Sequence, residues 1–299
     1  MLALALSQPV QSQPENIAQL RAYSLELVNE ARGEHDLPPL EAGALLDESA
    51  QGHAQDMLAR GYFSHVTPER RDVMDRYREA GGEQWRLVTE NIGRCVGCAA
   101  PASEADVERQ HHGWMDSPEH RENILSESLS RYGFGLAIDE EGFVAVQNFS
   151  GPGRPRGLAP GEEAQALPDE ELAQLAVDIV NEAREAEGLG AIGSDEDLMW
   201  VTDELVSDPS EFDMDETIDP LAVLDQEQQR GWSRLGVLAG SCGGCGTEPT
   251  DADIRFFMER WLEGERSGGL LDRETTRLGV ALRADGKGRK VILAVFGAR

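Results

Sequence analysis

Between residues 16 and 32 the apolar residues Ile17, Leu20, Leu27, Val28 and Ala31, with Tyr23 beside them, recur at helical spacing. They form one stripe, and Gly33 ends it. Leu46, Ala50, His53, Ala54 and Met57 predict a second helix closed by Gly61, a residue suited to a helix C-terminus, and they place His53 on the inner face as a packed histidine. The next residues, Y-F-S-H-V-T-P, break the period and put His65 in a turn. Val73, Met74 and Tyr77 suit a short third helix ended by Gly81 and Gly82, after which 86–92 reads as a strand carrying Glu90. A carboxylate half-buried on a strand needs a partner, because an unpaired charge there is costly.

Further on, Ser103 followed by Asp106 reads as an N-cap with an acid in the first turn of a helix running to Met115. His111 and His112 are neighbours on that helix and cannot share a face, so they do not form a ligand pair. Ser117 and Pro118 read as the N-cap and first residue of a short helix, with His120 in its first turn. The positive end of that helix disfavours imidazolium there. Two strands, 131–138 and 143–149, follow around D-E-E-G.

Much of this pattern is written twice. Trp85, Cys95, Cys98 and Trp114 return as Trp232, Cys242, Cys245 and Trp261 without a slip in spacing, and V-N-E-A-R at 28–32 returns at 180–184. Thr250 and Asp253 repeat the N-cap, and strands 277–283 and 290–296 repeat the final pair. An internal duplication is the expectation, with 16–150 and 168–299 as the units, a Pro- and Gly-rich linker at 151–167, and 1–15 as a leader remnant or disordered. Each unit reads as α+β, helices packed on a small, mainly antiparallel sheet. All six histidines lie in the first unit, so histidine chemistry belongs to that half.

Charge narrows the partners. A net charge of -29 with a pI near 4.5 argues against nucleic acid and against anionic membrane surfaces. No run of eighteen apolar residues appears, so no transmembrane segment is expected. Two lysines stand against 25 arginines, which suits a salt-rich habitat and a GC-rich coding bias equally well.

With L-V-N-E-A-R, A-Q-D-M-L-A-R-G-Y-F-S-H-V-T-P, T-E-N-I-G and W-M-D-S-P-E-H-R-E-N-I-L before Y-G-F-G, the chain resembles the bacterial branch of the CAP superfamily. This superfamily, also called SCP-like, includes cysteine-rich secretory proteins, antigen 5 and pathogenesis-related proteins. The likeness covers about 16–149, and 181–296 resembles a degenerate second copy. It implies two tandem α-β-α sandwich domains, pseudo-twofold related, in a protein exported to the cell envelope or medium. It also implies a cleft lined by two histidines and two acids. By motif these fall on His65, Glu90 and His120, while the remaining acid falls on Ser117.

Family members bind divalent metal, sterols or other lipids, and in isolated cases cleave peptides. The resemblance therefore implies a binding module whose partner is a metal, small ligand, lipid or protein. Zn or Ca at His65, Glu90 and His120 is the metal expectation; Zn on two imidazoles and a carboxylate would keep an open position. The enzymatic alternative is metal-assisted hydrolysis of a peptide-like bond with Glu90 as base. In the second unit Val237 and Ser267 stand at the positions of Glu90 and His120, so that unit cannot build the site.

The motifs C-V-G-C and C-G-G-C are preserved in both units and so read as structural. A redox role is weak, because each predicted N-cap comes five residues after the second Cys. The alternatives are disulfides within or between the motifs, as export favours, or one Zn held by Cys95, Cys98, Cys242 and Cys245.

Overall fold

A computed structural model describes residues 13–98, 100–158, 162–263, 267 and 269–299, so most of the expected leader remnant at 1–15 lies outside the described residues. The chain divides into two compact units at Gly151 and Pro152.

The first unit contains helices α1 (Ile17–Gly33), α2 (Ala44–Arg60), α3 (Val73–Glu79), α4 (Glu104–Asp116) and α5 (Pro118–Ile124). Its strands are β1 (Glu41–Ala42), β2 (Leu87–Val96), β3 (Arg131–Ile138) and β4 (Gly142–Gly151), in the sheet order β1-β3-β4-β2. The β1–β3 pair is parallel and the others antiparallel. Strand β4 is buried along its length: Phe143, Ala145 and Phe149 face the layer built from α1 and α4, while Val144 and Val146 face α2. Alternation on a strand buried on both faces thus yields an α-β-α sandwich, with β2 at an edge. The glycines of Y-G-F-G fit this geometry, since a Cβ on Gly133 would lie 2.3 Å from the Leu46 backbone and one on Gly135 2.3 Å from that of Ala50. Helix α2 therefore rests directly on the backbone of β3.

V-N-E-A-R proves to be an anchor. Asn29 exchanges two hydrogen bonds with the Leu40 backbone, of 3.1 and 2.8 Å. The fully buried Arg32 donates to the carbonyls of Pro38, Ile124 and Ser126, each at 2.9 Å. One guanidinium thus fixes the chain after α1 and the end of α5. The expected helix cap at Ser103 also forms, Asp106 Oδ2 accepting from its backbone N–H and hydroxyl at 3.0 and 2.6 Å.

The second unit contains α6 (Asp169–Ala186), α7 (Glu196–Leu205), α8 (Gln226–Arg230) and α9 (Asp251–Glu263). Its strands β5 (Gly193–Ser194), β6 (Arg234–Cys242), β7 (Arg277–Ala284) and β8 (Lys290–Ala298) have the order β5-β7-β8-β6, the same connectivity as the first sheet. Asn181 bonds the Ile192 backbone as Asn29 does Leu40, and Arg184 donates to the carbonyls of Gly190, Leu270, Asp272 and Thr275. Thr250 repeats the cap of Ser103, but Asp253 is fully buried here and pairs with the equally buried Lys290 of β8.

The Pro- and Gly-rich stretch is bound to the second unit, through bridges from Gly153 to Cys245 and from Ala166 to Thr250. Cys95 is bonded to Cys98 and Cys242 to Cys245, so each motif closes on itself. This is the arrangement of disulfides within the motifs, one of the alternatives the sequence leaves open.

Two outcomes follow for stability. Arg32→Ala would remove a fully buried guanidinium and its bonds to three carbonyls, and urea unfolding of the full chain should show a loss of about 3 kcal/mol. His111 is buried on α4, where desolvation and then neighbouring His112 push its pKa down to about 4. Above the unfolded value of about 6.5 neither state is protonated; between there and pH 4 the unfolded chain alone takes up the proton. Stability should fall across that window by about 3 kcal/mol on account of His111, and His111→Gln should flatten the pH profile of the unfolding midpoint.

Candidate functional site

The site is built around the edge strand β2. Successive residues of T-E-N-I point to opposite faces of the sheet: Glu90 toward α2 and α3, Asn91 toward α5. Gly61, with φ +67, ends α2 and turns the chain into the loop that carries His65. His65 Nδ1 lies 2.9 Å from Glu90 Oε1, and Arg76 Nη2 of α3 donates to Glu90 Oε2 at 2.6 Å. The Glu90 side chain is only 2% exposed, whereas that of His65 is 53% exposed. Arg76 also donates from Nη1 to the carbonyls of His65 and Arg71 at 2.9 and 3.0 Å, so one guanidinium neutralises Glu90 and shapes the His65 loop. The carboxylate thus has the partner its burial demands.

His53 stands behind this pair. It is fully buried, its Nε2 is 3.0 Å from the Ser64 carbonyl and 3.8 Å from Glu90 Oε1, and burial holds its pKa below the usual histidine range despite Glu90. A neutral packed histidine is the result. A cavity of about 340 Å³ borders His53, Arg76, Thr67 and Asp56 on this side.

His120 is placed from the other face. Ser117 ends α4 and begins α5, and its Oγ lies 2.9 Å from His120 Nδ1. The Asn91 amide donates to the His120 carbonyl at 3.1 Å, and Asn123 donates to Asn91 Oδ1 at 2.8 Å and to the Glu90 carbonyl at 3.3 Å. T-E-N-I and S-P-E-H-R-E-N-I are therefore stitched together through backbone and amides. Burial, and then the charge of His65, lower the His120 pKa.

Of the expected trio, His65 and Glu90 touch directly, and His120 is linked to them through Asn91, Asn123 and the electrostatic coupling of the two rings. Among the described residues no three His, Cys, Asp or Glu side chains form a group able to hold a metal ion. His111 is buried with its Nδ1 unpaired and His112 lies 3.9 Å from Glu108, so neither joins the site. Arg76 is the participant that the sequence reading missed. Its signal was the demand for a cation beside Glu90, answered from a helix whose apolar residues alone had been read.

What the arrangement offers is two imidazoles whose Nδ1 atoms are occupied, one by a carboxylate and one by a hydroxyl. The carboxylate holds His65 as the Nδ1–H tautomer and leaves its Nε2 for a ligand, while Ser117, whose hydroxyl can donate or accept, orients the His120 ring with its Nε2 edge away from the serine. In the second unit Val237 occupies the Glu90 position, amid Val291, Leu293 and Val295. Hydrocarbon surrounds that position.

Residues 25–149 match the family model described as the cysteine-rich secretory protein family, CAP. The chain is 30% identical over 140 residues to YkwD of Bacillus subtilis, covering 47% of this chain and 50% of that protein. It is 31% identical over 112 residues to the Bacillus subtilis membrane protein YlbC, covering 38% of this chain and 30% of that one. The chain therefore spans half or less of the length of these relatives. Among solved structures, an extracellular SCP-domain protein of Bacillus anthracis is 28% identical with a TM-score of 0.37, over 44% of this chain and 40% of that one. Ordered motifs, a three-layer sandwich and the family match coincide on one stretch: residues 25–149 belong to the cysteine-rich secretory protein (CAP) family.

Proposed function

We propose that the first unit is a binding domain of an exported protein, whose cleft takes a metal ion or small ligand on the Nε2 atoms of His65 and His120. The observation that carries this reading is the engagement of both Nδ1 atoms, by Glu90 and Ser117. Neutral imidazole is the form that binds a late transition metal, and the lowered pKa of His120 favours that form.

Zn fits this donor set, with the remaining positions left to water or to a ligand's own atoms. Ca does not, because it requires several oxygen ligands and both Glu90 oxygens are engaged. Glu90 is accordingly a positioning residue that orients His65. Arg76 holds one oxygen and His65 the other, and the side chain is only 2% exposed, so water has little access to it and binding is favoured over hydrolysis. Export is supported by the paired cysteines and by the extracellular description of the Bacillus anthracis protein. Among the described residues no helix is long and apolar enough to cross a membrane.

Calorimetric titration of the full chain at neutral pH should show one Zn site that His65→Ala with His120→Ala abolishes, and no heat from Ca. Equal Zn binding by wild type and the double variant would remove the proposal. Arg76→Met should leave Glu90 buried without its cation, costing about 3 kcal/mol of stability or more and weakening Zn binding through the loosened His65 loop. Its effect should be far larger than that of Arg78→Met on the same helix. Thiol titration under denaturing, non-reducing conditions should find none of the 4 cysteines free.

A further inference from the structure

The two sheets finish their β3 and β7 edges differently. Strand β1 covers β3 only at Arg131 and Tyr132, and beyond them the outward backbone groups of β3 are met by side chains. Asp47 accepts from the Phe134 N–H at 2.8 Å and Arg21 donates to the Phe134 carbonyl at 2.9 Å. Gln51 serves both the N–H and the carbonyl of Leu136, at 3.2 and 2.9 Å. The first unit thus plugs its sheet edge with an Arg, an Asp and a Gln from α1 and α2.

In the second unit, counting from the shared V-N-E-A-R and from the contact of Gly279 with Leu198 that repeats Gly133 with Leu46, those positions are Ala173, Met199 and Asp203. The plug is gone. Strand β5 covers β7 only at Arg277 and Leu278, and the Val280 N–H meets just the Met199 thioether, at 3.4 Å. In an antiparallel strand the N–H and C=O of one residue point the same way, so the Val280 carbonyl also faces outward, as do both groups of Leu282. Arg283 reaches the Leu282 carbonyl at 3.0 Å and ties Asp169 of α6 to Asp203 of α7. Among the described residues, no side chain takes over from Arg21 at the Val280 carbonyl or from Gln51 at the Leu282 N–H.

A groove of about 510 Å³ opens there, between α6 and α7, with Val280, Ala281, Leu282 and Arg283 among its lining residues. Leu172, Met199, Ile254 and the 44% exposed Trp200 make its walls apolar. Asp169, Glu170, Glu196 and Asp203 line it too, against Arg283 as the cation among its lining residues. We propose that this groove binds an extended peptide segment with alternating apolar and cationic residues, which adds to β7 as a further strand. The open backbone groups supply the ladder, the apolar walls receive alternate side chains, and the acidic rim selects Lys or Arg for the rest. An unpaired edge is also where sheets meet one another, so a second copy of the chain is the competing occupant.

The probe is a fluorescent octapeptide, blocked at both ends, alternating valine with arginine and lysine, titrated into the full chain by anisotropy. Binding should weaken with salt, and about tenfold or more on N-methylation of alternate amides in one of the two registers. Restoring the plug with Ala173→Arg and Met199→Asp should cost at least as much. Should that variant misfold, as judged by circular dichroism, the surface variant Glu170→Gln with Glu196→Gln carries the test and should weaken binding several-fold. No binding at millimolar peptide, equal binding of a glutamate-for-cation peptide, or indifference to N-methylation in both registers would overturn the proposal. So would self-association of the wild-type chain that the plug variant abolishes, which would assign the groove to a second copy.

Discussion

A carboxylate that is almost wholly shielded from water stays ionised only if the protein supplies its donors, and Glu90 imposes that requirement on everything near it. Arg76 meets it, and the same guanidinium bonds the carbonyls of His65 and Arg71, so the loop after α2 takes its shape from the needs of one residue on β2. Chemistry follows from this allocation. Both oxygens of Glu90 are spent on Arg76 and His65, and what remains for a ligand is the outer edge of an imidazole. Ser117 orients the His120 ring with a neutral hydroxyl, as Glu90 orients that of His65 with a carboxylate.

The second unit shows which interactions belong to the scaffold. It has the same strand order and the same Asn and Arg anchors after its first helix, yet where the first unit has Glu90 it has Val237, packed with Leu198, Val201 and Leu293. Replacing a buried ion pair by fitted hydrocarbon is physically easy, and often stabilising, once the pair has no task. The V-N-E-A-R motif is present in both units, and in each its arginine holds three or four carbonyls whether or not a site exists.

The sandwich was legible because its signals are local and periodic: the stripe of α1, the glycine cap of α2, the Ser103 and Asp106 pair, and the doubled glycines that admit α2 to β3. His65, Glu90 and His120 were legible only through motifs, since they come from a loop, a strand and a helix start, and no spacing relates such elements. Arg76 was not, because a surface-type residue on a seven-residue helix becomes central only when the loop folds back over it. The two-residue strands β1 and β5 carry no period at all. The open edge of β7 was hidden for a subtler reason: an alanine on α6 is unremarked until one sees which backbone group its counterpart had been serving.

Cations are scarce in this chain, and four of its 25 arginines are placed where a lysine could not do the same work. Arg32, Arg76, Arg184 and Arg289 are all buried, and each donates to two or more backbone carbonyls, Arg76 from Nη1 alone and the other three from more than one point on the guanidinium. A planar fork with five donors can join two or three chain segments at once; an ammonium on a flexible stem holds one point charge. The contrast appears at Lys290, whose ammonium is fully buried against Asp253 alone and whose pKa burial drives down. At these four positions the chain is tied to its core through a group with several fixed donors that keeps its charge, and that favours arginine there on physical grounds.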